Sequence, residues 1–559
     1  MVEQLRDRSG SDLEPDRSRS SSSARSVRLA ALAFASAEIV AFATWLSLGR
    51  TEWFHGDDWE FVAGRSAFDL DDLFTDHNTH WSTVPILVFR LLWQVFGIGS
   101  YMPYLVVVVA LHLTVAALLW YVMRRSGVHP WIATAAASLF AFFGAGYQNI
   151  VWAFQIGFVG GLALGLVHML LADHDGEVDR RDWFGLAAGL GAILSAGVGV
   201  TTVGVTGLVV LLRRGPRGWR VALFHSAPLG ALYVLWWFTI ARHTPHPGVQ
   251  TSGVGVGDVW AFVRHGLQRT FESLGQWSGL ALLFGMLLVV GLALTLTRED
   301  WPGFRRRAAV PVGMALGAVA FLVFSGYGRV GLLGPEQAGA PRYQHVVAAL
   351  MLPIVTVALD GLARLRRFLV PVFCILLLLG IPRNIDVLAT HTESGEQAHR
   401  AYRHFILSIP HTRYASQVPH GVRPDTQHID HVNITVGWLL AGAASGRIPE
   451  PDRISRDDEA TVRFHLGLIK RDEDDGVVKA RCRTAEEAMT RHLRKGDAIH
   501  FEGVGMLRVT PASSDVAAAT RMQFSSAEGS QLVAVLDPVD VTLQQQHPFL
   551  PVTVCDVVR

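Results

Sequence analysis

The sequence predicts a multi-spanning α-helical membrane protein with a soluble, α/β or β-rich domain C-terminal to its spans. Three observations predict it. Apolar residues are 50% of the 559, but they crowd into 27–382, in runs long enough to cross about 30 Å of hydrocarbon. Arginines gather at alternate turns between those runs. From 383 onward, charges recur every few residues, as on a domain bathed in water.

Residues 1–26 are rich in Ser, Arg and Asp, and read as a disordered cytoplasmic tail. The run 27–48 is too long and too poorly terminated for a cleaved signal peptide, so it is expected to stay as the first span. The basic residues before it place the tail inside, and the loop 49–100 therefore outside. That loop is acidic, with Asp57, Asp58, Glu60, Asp69, Asp71, Asp72 and Asp76. Its stretch 84–96 is apolar but short and contains Pro85, Arg90 and Gln94, which suits a helix lying at the interface.

Further spans are expected at 101–123, 131–147, 154–172, 184–199, 200–212, 221–241, 279–297, 308–327, 344–363 and 368–382, eleven with the first. Arg124-Arg125, Arg180-Arg181, Arg213-Arg214, Arg305-Arg306-Arg307 and Arg366-Arg367 then all fall inside, and 383–559 falls outside. The region 184–212 is compatible with two short spans or one broken helix. Its glycines from Gly197 to Gly204 read as close helix packing.

Two more outer segments stand out. Residues 242–257, with His243, Pro245, His246, Pro247 and three glycines, form a linker. It leads into 258–277, where Val259, Phe262, Phe271 and Leu274 repeat at helical spacing opposite Arg264, Gln268, Arg269 and Glu272, an amphipathic helix. The segment 328–343 is rich in Gly and Pro and ends in Pro341-Arg342-Tyr343, followed by Gln344-His345. In the outer domain 397–450 reads as helical or irregular, and 462–558 as short alternating strands such as 498–504 and 531–536. His420, His428 and His431 read as surface residues, and the sequon-like Asn433-Ile434-Thr435 carries little weight. Cys374 lies in a span; Cys482 and Cys555 share the outer domain, where a disulfide between them is open. The net charge of +1 gives no field to attract nucleic acid. Basic residues are almost all arginine, a composition that GC-rich bacterial genomes encode.

Chemistry points to the first outer loop. In Gly56-Asp57-Asp58-Trp59 a carboxylate can take a proton from a hydroxyl nucleophile, although an acidic loop also serves topology and solvation. Asp76-His77-Asn78-Thr79-His80-Trp81 adds imidazoles and amides in the same loop. The motifs single out no cofactor; a divalent metal held by His77 and His80 with Asp57 or Asp76 is an open alternative, and that histidine spacing is common by chance.

These features resemble the GT-C superfamily of integral-membrane glycosyltransferases, including the protein mannosyltransferase and aminoarabinose transferase types. The resemblance covers roughly 27–382 and rests on Gly56-Asp57-Asp58-Trp59 just after the first span, His77-Asn78-Thr79-His80-Trp81 later in that loop, the interfacial stretch 84–96, and Arg342-Tyr343 opening a span. It implies an inverting transfer of a hexosyl or pentosyl group from a polyprenyl-phosphate donor to a cell-envelope glycan, lipid or protein. It also implies that Asp57 or Asp58 is the base or orienter of the acceptor. A departing lipid phosphate needs cations, and Arg342 and Arg329 are the best placed, with Tyr343 and His345 as further donors; Arg342-Tyr343 also suits an interfacial anchor. Trp152 and Gln155 fit an acceptor groove, and Trp152 fits an interfacial anchor equally. The competing readings are a transporter or flippase, for which His112, His168 and His225 are the ionisable residues within spans, and a noncatalytic scaffold in the bilayer.

Overall fold

The computed structural model describes residues 15–244, 249, 251–425, 433–472, 478–485, 488–503, 505–512, 520–526, 530–536, 538–546 and 550–558. Residues 1–14 of the tail expected over 1–26, and His246, His428 and His431, lie outside the described residues. The chain divides into two compact units. One joins Met1–Arg50, Phe74–Pro85 and Tyr104–Ser394; the other joins Thr51–Leu73, Ile86–Pro103 and Gly395–Arg559. The loop 49–100 is thus shared out between them.

The first unit is helical. Among the described residues, nine helices are long and apolar enough to cross a membrane. The other two expected spans are also helices, Pro130–Ala141 and Arg180–Ile193, but of 12 and 14 residues. The opening helix begins at Pro15, so regular structure reaches into the basic stretch read as tail. At the centre stands Pro341–Ala363, with Pro341 in its first turn where no backbone donor is lost. Its whole apolar window is buried, as a helix apolar all round requires. The region 184–212 resolves into two helices, Arg180–Ile193 and Gly197–Arg214, both packed on Ile156–Ala172. The glycines make this possible: a Cβ on Gly199 would fall 2.0 Å from Ala192 O. Buried Asn384 donates to Ser273 O at 3.1 Å and accepts from Ala145 N at 3.0 Å, so one side chain satisfies backbone groups from two other segments.

The second unit is built on a β-sandwich. Its strands are β1 (Leu468–Asp472), β2 (Val478–Thr484), β3 (Met489–Leu493), β4 (Ala498–Glu502), β5 (Gly505–Pro511), β6 (Met522–Ser526), β7 (Ser530–Ala534), β8 (Val539–Gln545) and β9 (Thr553–Val558). They form antiparallel sheets ordered β1-β7-β4-β9-β2 and β3-β8-β5-β6. Alternation explains the packing: Leu507 and Val509 of β5, and Val541 and Leu543 of β8, point into one core with Phe501 and Val554. Strands expected at 498–504 and 531–536 appear as β4 and β7. Cys482 of β2 and Cys555 of β9 are joined in a disulfide. Helices Val436–Ala444 and Arg456–Gly467 precede the strands, and the described residues of 397–450 are helical or irregular as read.

Candidate functional site

Two turns carry the polar groups of the loop 49–100. The first runs from His55 to Trp59, with Asp58 N 3.3 Å from His55 O and Trp59 N 3.3 Å from Gly56 O. Gly56 has φ +54°, a left-handed conformation that costs glycine nothing. Asp58 is fully buried; its Oδ2 accepts from His55 N at 3.2 Å and from the Tyr101 hydroxyl at 3.1 Å. Asp57 is only half-buried. Two carboxylates that look equivalent in sequence therefore differ: Asp58 holds the turn, and Asp57 presents its side chain beside it.

Aromatic packing fixes this turn. Trp53, Phe54 and Trp59 are at most 2% exposed, and their rings lie 5.4–5.6 Å apart. Tyr101 meets Phe54 edge-on at 4.9 Å, Tyr402 meets Trp53 at 5.7 Å, and Trp438 meets Trp59 at 6.3 Å. Edge-to-face pairs of this kind add about 0.5–1.5 kcal/mol each beyond area burial. Next along the chain, Glu60 opens a π-helical turn, Glu60–Gly64, and is held by Arg65 at 2.7 Å and by Asn433. The asparagine of the sequon-like triplet thus has a packing task.

The second turn, in the helical unit, runs from His77 to His80, each backbone N–H reaching the other's carbonyl at 2.9 Å. Its central residues, Asn78 at φ +49° and Thr79 at φ +74°, are both left-handed. For a β-branched threonine that is a strained conformation. Asp76, 3% exposed, accepts from Thr79 N at 2.9 Å and steadies it. Trp81 stacks on Trp236 at 4.9 Å, and Trp236 Nε1 donates to Phe74 O at 2.7 Å. His77 and Trp152 both meet Phe154, at 5.2 Å each, while Gln155 is buried.

The expected phosphate ligands belong to the same unit as this second turn. Arg342 is half-buried, with Nη1 3.2 Å from Gln148 Oε1 and its guanidinium 5.0 Å over the Tyr343 ring. Tyr343 is itself buried against Phe321 at 5.7 Å. Arg329 is half-buried on the helix Trp301–Leu333. His345 is fully buried, and its Nε2 lies 2.9 Å from Nδ1 of His112. Nε2 of His112 lies 3.1 Å from Ala141 O, which only accepts. The proton order follows: His112 donates to Ala141, and His345 donates to His112. His345 is therefore part of the helix packing.

Two groups of side chains bring three potential metal-ligand atoms within 4.8 Å of one another among the described residues: Glu52, His55 and His399, and His174, Asp179 and Asp182. Neither contains His77, His80, Asp57 or Asp76. Glu52 and His399 were not singled out in the sequence because nothing local links a residue at the end of the first span to one so far along the chain. Tyr101 and Asp182 were missed likewise. Asp182, fully buried, accepts from His225 Nε2 at 2.8 Å and His174 Nε2 at 3.1 Å, and His168 Nε2 lies 3.1 Å from His225 Nδ1. The intramembrane histidines noted one by one thus occur in hydrogen-bonded sets.

No family model matches the chain, and no curated protein matches it. Among solved structures it is similar to the crystal structure of ArnT from Cupriavidus metallidurans bound to undecaprenyl phosphate, at 17% identity over 76% of this chain and 86% of that one, with a TM-score of 0.44. It is similar also to ArnT from Cupriavidus metallidurans in the apo state, at 16% identity over 77% and 91% of the two chains, with a TM-score of 0.42.

Proposed function

We propose that the chain is a membrane glycosyltransferase that moves a sugar from a polyprenyl-phosphate donor to a cell-envelope acceptor at the outer face, with Asp57 as the base. One observation carries the assignment: the Asp57-Asp58 turn is held rigidly from below by Asp58, Tyr101 and three buried aromatic rings, with Asp57 left half-buried beside them. A base needs that rigidity, since misplacement costs rate steeply. The Cys482–Cys555 disulfide supports an outward domain, because such bonds persist in oxidising compartments.

In the proposed step Asp57 takes the proton of an acceptor hydroxyl as its oxygen attacks the anomeric carbon. The bond from that carbon to the phosphate oxygen breaks on the opposite face, and the polyprenyl phosphate departs with the electron pair. Within the helical unit, taken by itself, Arg342, oriented by Gln148 and by the Tyr343 ring, is the proposed ligand of a lipid phosphate, with Arg329 of the same unit as a second cation. Asp57→Asn should lower sugar transfer in membranes by about 10²–10⁴-fold with no change in melting. Asp58→Asn should instead show as lost stability, about 1–3 kcal/mol, because the charged acceptor of His55 N–H and of the Tyr101 hydroxyl becomes a neutral amide. Full activity of Asp57→Asn would sink the assignment.

A second reading, a proton-coupled transporter, is favoured by the buried sets His112–His345 and His168–His225–Asp182. It requires that His112→Gln abolish substrate movement across proteoliposomes; the glycosyltransferase reading requires that this variant retain sugar transfer whenever it folds.

A further inference from the structure

We infer that Glu52, His55 and His399 form a binding site for one divalent cation of the zinc type, seated directly behind the Asp57-Asp58 turn. All three residues belong to the same compact unit, and one ligand atom from each lies within 4.8 Å of the others. The side chain of Glu52 is 2% exposed, and its Oε1 is buried with no hydrogen-bond partner, a costly condition for a carboxylate. Its other oxygen, Oε2, lies 3.1 Å from Nδ1 of His399, a spacing that two ligands of one small ion adopt. The rings of His55 and His399 stack at 5.2 Å with planes 21° apart.

The tautomer of His55 is set by its neighbour. Its Nδ1 lies 2.9 Å from Trp53 O, which can only accept, so Nδ1 carries the proton and the lone pair is on Nε2. A backbone carbonyl that fixes one imidazole nitrogen while the other is a ligand is the usual outer support of a metal-bound histidine. Two imidazoles and one carboxylate select a borderline ion such as Zn²⁺ or Co²⁺ over Mg²⁺ or Ca²⁺, which take oxygen ligands. The ion's effect reaches the acidic turn through His55, whose backbone N–H donates to Asp58 Oδ2 at 3.2 Å. This inference stands apart from the proposed reaction: a cation can sit here whatever the loop binds.

The test uses the full chain in detergent, stripped with chelator and reloaded with Zn²⁺ or Co²⁺ alone. Wild type should take up metal, show Co²⁺ absorption of a nitrogen and oxygen site, and gain in melting temperature. Glu52→Gln and His399→Gln should each lose one equivalent and the melting gain; two variants guard against one that fails to fold. His404→Ala, on the same helix but paired to Asp458 at 3.0 Å, should keep both. Uptake equal to wild type in Glu52→Gln or His399→Gln overturns the site. So does uptake that only His174→Ala removes, because the metal then belongs to the His174, Asp179 and Asp182 group, and so does a wild type that holds no metal.

Discussion

The two turns of the loop 49–100 solve one problem in opposite ways. Each must present a polar side chain from a tight reversal, and each buries a carboxylate to do so, Asp58 in one and Asp76 in the other. The His55–Trp59 turn places its left-handed residue at a glycine, so the backbone is relaxed and the rings beneath supply the rigidity. The His77–His80 turn has an asparagine and a threonine at the left-handed positions, of order 1–3 kcal/mol of strain for each. That strain persists because Asp76 and the Trp81–Trp236 stack hold the turn from both ends. A relaxed turn over a stiff floor suits a base that must not move; a strained turn stores a tendency to open.

The largest effect expected from this contrast is in rate. Asp57→Asn should cost at least about 10²-fold more transfer activity than His77→Asn, since only the former removes the proposed base. Equal losses in a membrane assay would break the division between the two turns. Next comes Trp59→Ala, which removes a fully buried indole from the floor and should lower the stability of its unit by about 3–5 kcal/mol, read by melting or protease resistance. Smallest, and sharpest in sign, is the backbone pair. Gly56→Ala should destabilise by about 1 kcal/mol because alanine resists φ +54°, whereas Thr79→Gly should stabilise by up to about 1 kcal/mol as strain relief exceeds the entropy glycine adds. Changes of the same sign in both variants would remove strain from the account.

Much of the fold was legible because bilayers impose length and charge rules that act locally. The helix Met102–Arg125, ended by Arg124-Arg125, follows directly from those rules. Pro130–Ala141 was harder: once its backbone is buried among other helices, a 12-residue helix suffices where a span in lipid needs about 20. The strands β4 and β7 were readable from alternation, whereas the pairing of β9 between β4 and β2 was not, since register depends on partners far along the chain. The acidic motif was found from its position after the first span, but the sequence held Asp57 and Asp58 equal. Burial and the bonds from His55 N–H and the Tyr101 hydroxyl to Asp58 separate them. Glu52 and His399 lay beyond reach for the same reason. His345 looked like a polar group opening a span, and its pairing with His112 was invisible because two helices had to meet first.

The disulfide has a consequence for synthesis. β9 lies between β4 and β2 in its sheet, and its Cys555 is the partner of a cysteine 73 residues earlier. At elongation rates of about 5–20 residues per second, Cys482 waits roughly 4–15 s as a bare thiol after it is made. Through that interval β2 has no neighbour to hydrogen-bond, so the nascent chain displays an unpaired strand and a reactive sulfur together. An oxidase or holdase that reaches the nascent domain in this interval would meet it in its most vulnerable form.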